Sequence, residues 1–273
     1  MTAILPARPM SAPRTGAPMR LCLLDGFRLL CNGVEVAVPA GGRQLIAWLG
    51  LRGNATRSRA ADCLWPEATE ARAQGSLRST LWRLQRSCGP LVHSGRDALV
   101  LAPEITVDVP LFTAAAYRMV SSRDCPDENL AHRVLSCGEL LPGWTQDWVL
   151  LERERLSQLR LHALEILVQR LIGQRGYARA LEAAAACVCA EPLRESAHRA
   201  VVSVHLAQQN LAEARRHYEF FRVLIGNELG GRPSALFDTM LTSARSAASR
   251  HRDQVPGAGL VRSEPEAVHP VDP

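Results

Sequence analysis

A chain of 273 residues and 29.8 kDa, 47% apolar and 22% charged, has room for one large domain or two ordinary ones and enough apolar surface for a sizeable core. No apolar run approaches the ~20 residues that span a bilayer, which excludes a transmembrane helix, and the Pro-, Ala- and Arg-rich N-terminus lacks the apolar core of a secretory signal. All 32 basic residues are arginine. That excludes a lysine-containing P-loop, a Schiff-base lysine and the kinase lysine; a guanidinium clamps anions but is a poor general base.

The net charge of +5 is modest. Its distribution says more. Between Ala71 and Arg96 stand Arg72, Arg78, Arg83, Arg86 and Arg96, with no acid among them. Such a stripe suits an anionic polymer better than a small substrate, although a charge run is also the ordinary dress of a solvated helix face. None of the 8 cysteines forms a Cys-x-x-Cys pair, so reduced, buried thiols in a cytoplasmic protein are expected. Cys187, Cys189 and His198 match no zinc spacing, and no metal or cofactor is expected.

In chain order, Met1–Met19 reads as a disordered tail, with four prolines. Residues 20–110 then read as a mixed α/β unit. Leu21–Leu24 is a short apolar run, and alternating residues from Phe27 to Val38 flank Asn32-Gly33, the strongest short hairpin signal. Three helices follow: Arg43–Leu51, with Leu45, Trp48 and Leu49 on one face; Thr56–Trp65, capped by Thr56 and burying Ala60, Ala61 and Leu64; and Ala71–Cys88, stopped by Gly89-Pro90. Leu91–His93 and Ala98–Leu101 make a second hairpin with Arg96 at its tip. A helix pair packed on such a wing is a DNA-binding layout.

Residues 111–250 read as nearly all helix, with a long one from Trp148 to Ile172 whose stripe is Leu156, Leu159, Ala163, Ile166 and Leu167. At an offset of 34 residues, Gln174, Ala178 and Ala180 align with Gln208, Ala212 and Ala214. That is the tetratricopeptide period, and small residues there let antiparallel helices approach closely. An irregular helical bundle is the alternative. Residues 251–273 read as a second disordered tail. The fold class is therefore α+β: an N-terminal winged helix-turn-helix followed by an all-α tetratricopeptide-like domain.

The helix of Ala71–Cys88 carries the chemistry. Leu77, Leu81 and Leu84 share a core face, and Arg72, Ser79, Arg83 and Arg86 fall opposite, flanked by Arg78 and Trp82. A major groove admits one helix and is read by donors such as arginine on guanine N7 and O6. Trp82 either touches a thymine methyl or packs against its own domain, and the second is favoured. Thr56, Arg57 and Ser58 start the preceding helix, where free N–H groups and the dipole can hold a phosphate; a plain cap by Thr56 is the other reading. Arg96 either enters a minor groove or stands idle.

These residues carry a resemblance. The order Gly42-Arg43-Gln44-Leu45, Cys63-Leu64-Trp65, Ser76-Leu77-Arg78-Ser79-Thr80-Leu81-Trp82-Arg83-Leu84, Val107-Asp108-Val109, Leu141-Pro142-Gly143-Trp144, the stretch from Trp148 to Leu156, Glu191-Pro192-Leu193-Arg194-Glu195, Asn227-Glu228-Leu229-Gly230 and Pro233-Ser234 is similar to that of SARP regulators (Streptomyces antibiotic regulatory protein family). Those join an OmpR-type winged helix to a bacterial transcriptional activator domain. The resemblance covers about residues 20–247. It implies binding of double-stranded DNA at repeated promoter elements by two protomers, contact with RNA polymerase holoenzyme, and activation, often of secondary-metabolite genes. Larger members carry a nucleotide-binding domain after the helical one; this chain ends at Pro273 without it, so ATP-driven control within the chain is not expected.

A DNA-binding transcription activator, a homodimer on DNA, is thus the leading expectation. The alternative is a tetratricopeptide-like adaptor whose winged helix binds protein, since fold alone does not decide. The acid-free arginine face separates the two, because an adaptor has no need of it. No Gly-x-Ser-x-Gly, His-Glu-x-x-His or paired carboxylates point to an enzyme, and no catalytic residue is assigned.

Overall fold

The computed structural model describes residues 18–95, 97–122 and 128–243. The expected tails, apart from residues 18 and 19, lie outside that range. The chain forms two compact units, 1–192 and 193–273. Pro110, where the sequence places the end of the α/β region, lies inside a helix that starts at Asp108.

The first unit opens with strands β1 (Met19–Cys22), β2 (Arg28–Cys31) and β3 (Val34–Glu35), then helix α1 (Ala40–Arg52). The β2–β3 turn is the expected one: Asn32 and Gly33 both have positive φ, 49° and 81°, as a type I′ turn requires. Next come β4 (Ala55–Thr56), α2 (Arg57–Leu64), α3 (Glu70–Cys88), the hairpin β5 (Val92–Ser94) and β6 (Ala98–Leu101), and β7 (Ile105–Val107). The N-terminal sheet has the order β3-β2-β1-β7, with β7 parallel to β1. The wing is a second sheet, β4-β6-β5. Neither β4 nor β7 is apparent from sequence, because two or three residues are too few to show an alternation.

The core of the winged helix gathers Leu21, Leu23, Leu29, Leu45, Trp48, Leu77, Leu91 and Leu99, all 0–1% exposed. Helix α1 is buried continuously from Leu45 to Gly50, not on one face alone. It is enclosed on two sides. A Cβ at Gly50 would come within 2.9 Å of Leu21, and one at Gly42 within 2.4 Å of Leu84 on α3.

Helices α4 (Asp108–Ser121), α5 (Glu128–Leu135), α6 (Asp147–Gly173) and α7 (Tyr177–Ala190) complete the first unit. Asp108 is the link between sheet and helices. Its carboxylate accepts the N–H groups of Leu23 (2.9 and 3.0 Å) and Leu24 (3.0 Å). Beyond it, Leu141 donates its N–H to the Leu23 carbonyl (2.9 Å) and Asp25 to the Glu139 carbonyl (2.9 Å). Arg153 on α6 holds this loop from behind, donating to the carbonyls of Leu140 (2.9 Å), Leu141 (2.6 Å) and Trp144 (3.0 Å) and pairing with Glu139 (2.8 Å). Helix α6 buries Leu156, Ala163 and Leu167 as the stripe requires, but Leu159 and Ile166 are only half-buried. Leu161, Leu164, Val168 and Leu171 are buried instead, because α6 packs against α4 and α5 as well as α7.

The second unit holds α8 (Glu195–Ala207), α9 (Leu211–Leu229) and a helix over 235–243. Its core is Val202, Ala214, Phe221, Phe237 and Leu241. The Glu195 carboxylate accepts both the N–H (3.0 Å) and the hydroxyl of Ser234, tying the start of the helix over 235–243 to α8. Buried His198 faces His217 across 3.1 Å, Nδ1 to Nε2, and stacks on Phe221 with ring centroids 4.1 Å apart.

The 34-residue repeat is written into the hydrogen bonds. Gln174 donates to the Arg170 carbonyl, Arg175 to Ile172, Gly176 to Leu171 and Ala180 to Gly176; shifted by one repeat, Gln208 donates to Val204, Gln209 to Leu206, Asn210 to His205 and Ala214 to Asn210. Arg175 and Gln209 both take left-handed backbone, φ 59° and 60°, and Ala180 and Ala214 are both fully buried. The helical region is tetratricopeptide-like. Among the described residues, no helix is long and apolar enough to cross a membrane.

Two outcomes follow from these contacts. Asp108→Ala leaves one buried and one half-buried amide without an acceptor and should lower the unfolding free energy by about 2–4 kcal/mol, read by urea denaturation, whereas Asp108→Asn should lose less. Burial first, and then the neighbouring His198 and His205, push His217 down to about 4. The folded state therefore disfavours the cation while the unfolded state takes it up near the ordinary 6.5, so stability is full above that pH and falls as pH drops from 6.5 towards 4. Thermal unfolding followed by circular dichroism at pH 7.5 and 5.0 should show this loss, and His217→Leu should reduce it.

Candidate nucleic-acid interface

Helix α3 presents a polar face because its other face is committed to the core. Ala73, Leu77, Thr80, Leu84 and Cys88 are buried, and Leu81 is half-buried. Arg72, Arg78, Ser79, Arg83 and Arg86 are all exposed. The one acid of α3 is Glu70 in its first turn, where it complements the helix dipole. Gly89 ends the helix with φ 76°, and its N–H returns to the Gln85 carbonyl.

Trp82 is not packed against its own domain as expected. It is 61% exposed, and the Arg86 guanidinium lies 5.3 Å from its ring centroid. The physical reason is Thr80. With Thr80 and Ala73 buried and Leu81 only partly so, the core stripe turns towards Thr80 and carries Trp82 outward.

At the start of α2 the plain cap is what the geometry holds. Thr56 Oγ1 accepts the Arg59 N–H (3.3 Å), and the Arg57 N–H donates to the Asp97 carbonyl of the wing (3.1 Å). Those two amides are engaged within the chain. What α2 offers outward is side chains: Ser58 and Arg59 are exposed, and Ser58 Oγ accepts from Gln74 of α3 (3.4 Å).

The wing and the helices meet at a polar cleft. Strand β4 pairs with β6 and runs directly into α2, so the wing is fixed to the helix start. Arg57 donates to the Ser94 hydroxyl on β5. Arg57, Arg78, Gln85 and Ser94 line a cleft of about 280 Å³ floored by Leu81 and Leu84. The structure thus brings Arg57 and Arg78 to one place and spreads Arg72, Ser79, Arg83 and Arg86 along the exposed face of α3. Arg96 lies outside the described residues. Sequence reasoning missed Gln85 and Ser94. Ser94 stands at the end of a strand beside Gly95, and only the pairing of β4 with the wing brings it to Arg57.

Two buried thiols are held in the neutral form. Burial pushes Cys88 up, and its Sγ donates to the Ala37 carbonyl (3.4 Å). Cys137, also buried, is pushed up to about 12. Among the described residues, no three or more His, Cys, Asp or Glu side chains gather where they could hold a metal ion.

Comparisons with known proteins bear on the helical region and on the fold. The bacterial transcriptional activator domain matches residues 129–242. A solved structure, Mycobacterium tuberculosis EmbR in complex with low affinity phosphopeptide, is similar at a TM-score of 0.64 with 16% sequence identity, covering 89% of this chain and 73% of that one. At that identity the likeness is one of fold. No curated protein matches the sequence. The fold is thus a winged helix followed by a helical region, of which residues 129–242 match the bacterial transcriptional activator domain.

Loss of the cap at the start of α2 should be measurable on its own. Thr56→Ala removes the acceptor for the Arg59 amide and should cost about 1 kcal/mol in urea unfolding, while Thr56→Ser should be near neutral.

Proposed function

We propose that this chain is a SARP-type regulator that binds double-stranded DNA sequence-specifically through α3 and activates transcription by contacting RNA polymerase holoenzyme. The observation that carries the reading is the exposed arginine face of α3, free of acid from Ala71 to Arg96, set beside a wing whose Ser94 is tied to Arg57. A helix of this width fits a major groove, where Arg83 and Arg86 can take guanine N7 and O6, and Ser79 a base edge or phosphate. Arg57, Ser58 and Arg78, near the wing, suit phosphates, which fix register and supply affinity. Thr56 serves by holding the start of α2, and Arg96 by reaching backbone or minor groove from the hairpin tip.

In this reading residues 20–110 are the DNA-binding domain, and residues 111–250 serve pairing and polymerase contact. Two protomers occupy repeated promoter elements as a homodimer on DNA. Target genes of secondary metabolism follow from family likeness. The protein works in the bacterial cytoplasm, on the nucleoid when bound.

The test is affinity against salt on duplex DNA. About 4–6 phosphate contacts per protomer should give a log–log slope near −0.9 per contact, and replacing Arg57 and Arg78 together by Ala should shallow it by about 2. A flat salt response in fluorescence anisotropy contradicts the proposal and favours a protein-binding adaptor.

A further inference from the structure

Trp82 is the most conspicuous side chain the arginine-based reading leaves without a use. Of the 5 tryptophans in the chain, Trp48 and Trp148 are buried, Trp65 and Trp144 are partly buried, and Trp82 alone is exposed. Its position on α3 is central. At about 100° per residue, the buried set Ala73, Leu77, Thr80, Leu84 and Cys88 averages to one direction. Directly opposite, within about 40°, stand Gly75, Ser79, Trp82 and Arg86, whereas Arg83 and Arg72 lie about 60–80° to one side and Arg78 about 60° to the other.

An indole therefore stands on the outermost line of the helix, level with Arg86, and polar or cationic groups surround it. Arg86 covers part of the indole, its guanidinium 5.3 Å from the ring centroid. That cation offsets the negative ring face, which would otherwise meet a polyanion unfavourably, and restrains the ring at low entropic cost. An indole so placed has one apolar partner in a major groove. The base edges there are donors and acceptors except for the C5-methyl group of thymine.

We propose that Trp82 lays its indole against a thymine methyl group in the major groove and is a sequence-reading residue of α3. The proposal rests on the DNA-binding reading above. It assigns thymine recognition to a residue outside the arginine set, beside guanines read by Arg86. An aromatic wedge between stacked bases is a minor-groove device and belongs to a different docking of the helix.

The experiment uses the full chain on a duplex obtained by binding-site selection. Each thymine is replaced singly by deoxyuridine, which removes the methyl group and keeps every hydrogen-bonding group. Anisotropy is measured for wild type and Trp82→Ala, with circular dichroism to verify that the variant, changed at an exposed position, is folded. At one or two thymines the replacement should weaken wild type by about 3–10-fold and Trp82→Ala by less than about 2-fold. Equal effects of deoxyuridine on both proteins at every thymine, with selective DNA binding intact, overturn the Trp82 assignment alone. A wild-type protein that selects no duplex at all overturns the DNA-binding reading and this proposal together.

Discussion

Strand β1 continues into a segment, Leu23 to Asp25, whose backbone is claimed from two directions. The Asp108 carboxylate takes the amides of Leu23 and Leu24, and the loop at Glu139 and Leu141 takes the Leu23 carbonyl and the Asp25 amide. A buried carboxylate is costly to desolvate, and burial does push Asp108 up against the pull of those amides. The arrangement persists because each group buried with it has a partner. Arg153 does the same for the other side of the loop, satisfying three carbonyls with one guanidinium. Phe27 stacked on Trp144, and Trp144 edge-on to Trp148, fill the space beside it. Through these contacts the N-terminal sheet and helices α4 to α6 become one unit, so whatever α3 binds is mechanically joined to the first part of the helical region.

The presentation of α3 depends on a second constraint, the close approach of α1. A Cβ at Gly42 would lie 2.4 Å from Leu84, and one at Gly41 would touch Thr80 Oγ1 at 3.5 Å. Glycine at 42 lets α1 press into the inner side of α3, where Thr80 is buried. That rotation decides which residues face outward. A helix resting on Leu77, Leu81 and Leu84 alone would centre Ser79 and Arg86 and leave Trp82 about 50° to the side; the observed one brings Trp82 to within about 20° of the centre, beside Arg86. The difference is less than one helical step, yet it sets an indole beside the cation at the middle of the exposed face.

Much of this was legible in the sequence. The Asn32-Gly33 turn, the wing hairpin, the limits of α3 within a residue and the 34-residue period were visible because each rests on local chemistry or on spacing. The repeat proved more regular in its backbone than in its side chains: Gln174 and Gln208 match, but Gly176 pairs with Asn210 and Arg175 with Gln209, and the same turn forms in both. What was not legible required tertiary knowledge. Leu-Pro-Gly-Trp at 141–144 marks a family resemblance without revealing that it straps a loop to a strand more than a hundred residues earlier. Thr80 resembles a surface hydroxyl until α1 covers it. Short strands such as β4 and β7 exist only through their partners.

The central claim is that α3 enters a major groove. Dimethyl sulfate protection tests it most directly, because the reagent methylates guanine N7 on the floor of that groove and adenine N3 in the other. With purified protein on the promoters flanking its own gene, the account predicts protection of guanine N7 within repeated elements spaced by about one helical turn. Protection confined to adenine N3, or a footprint with every guanine N7 still reactive, would contradict it.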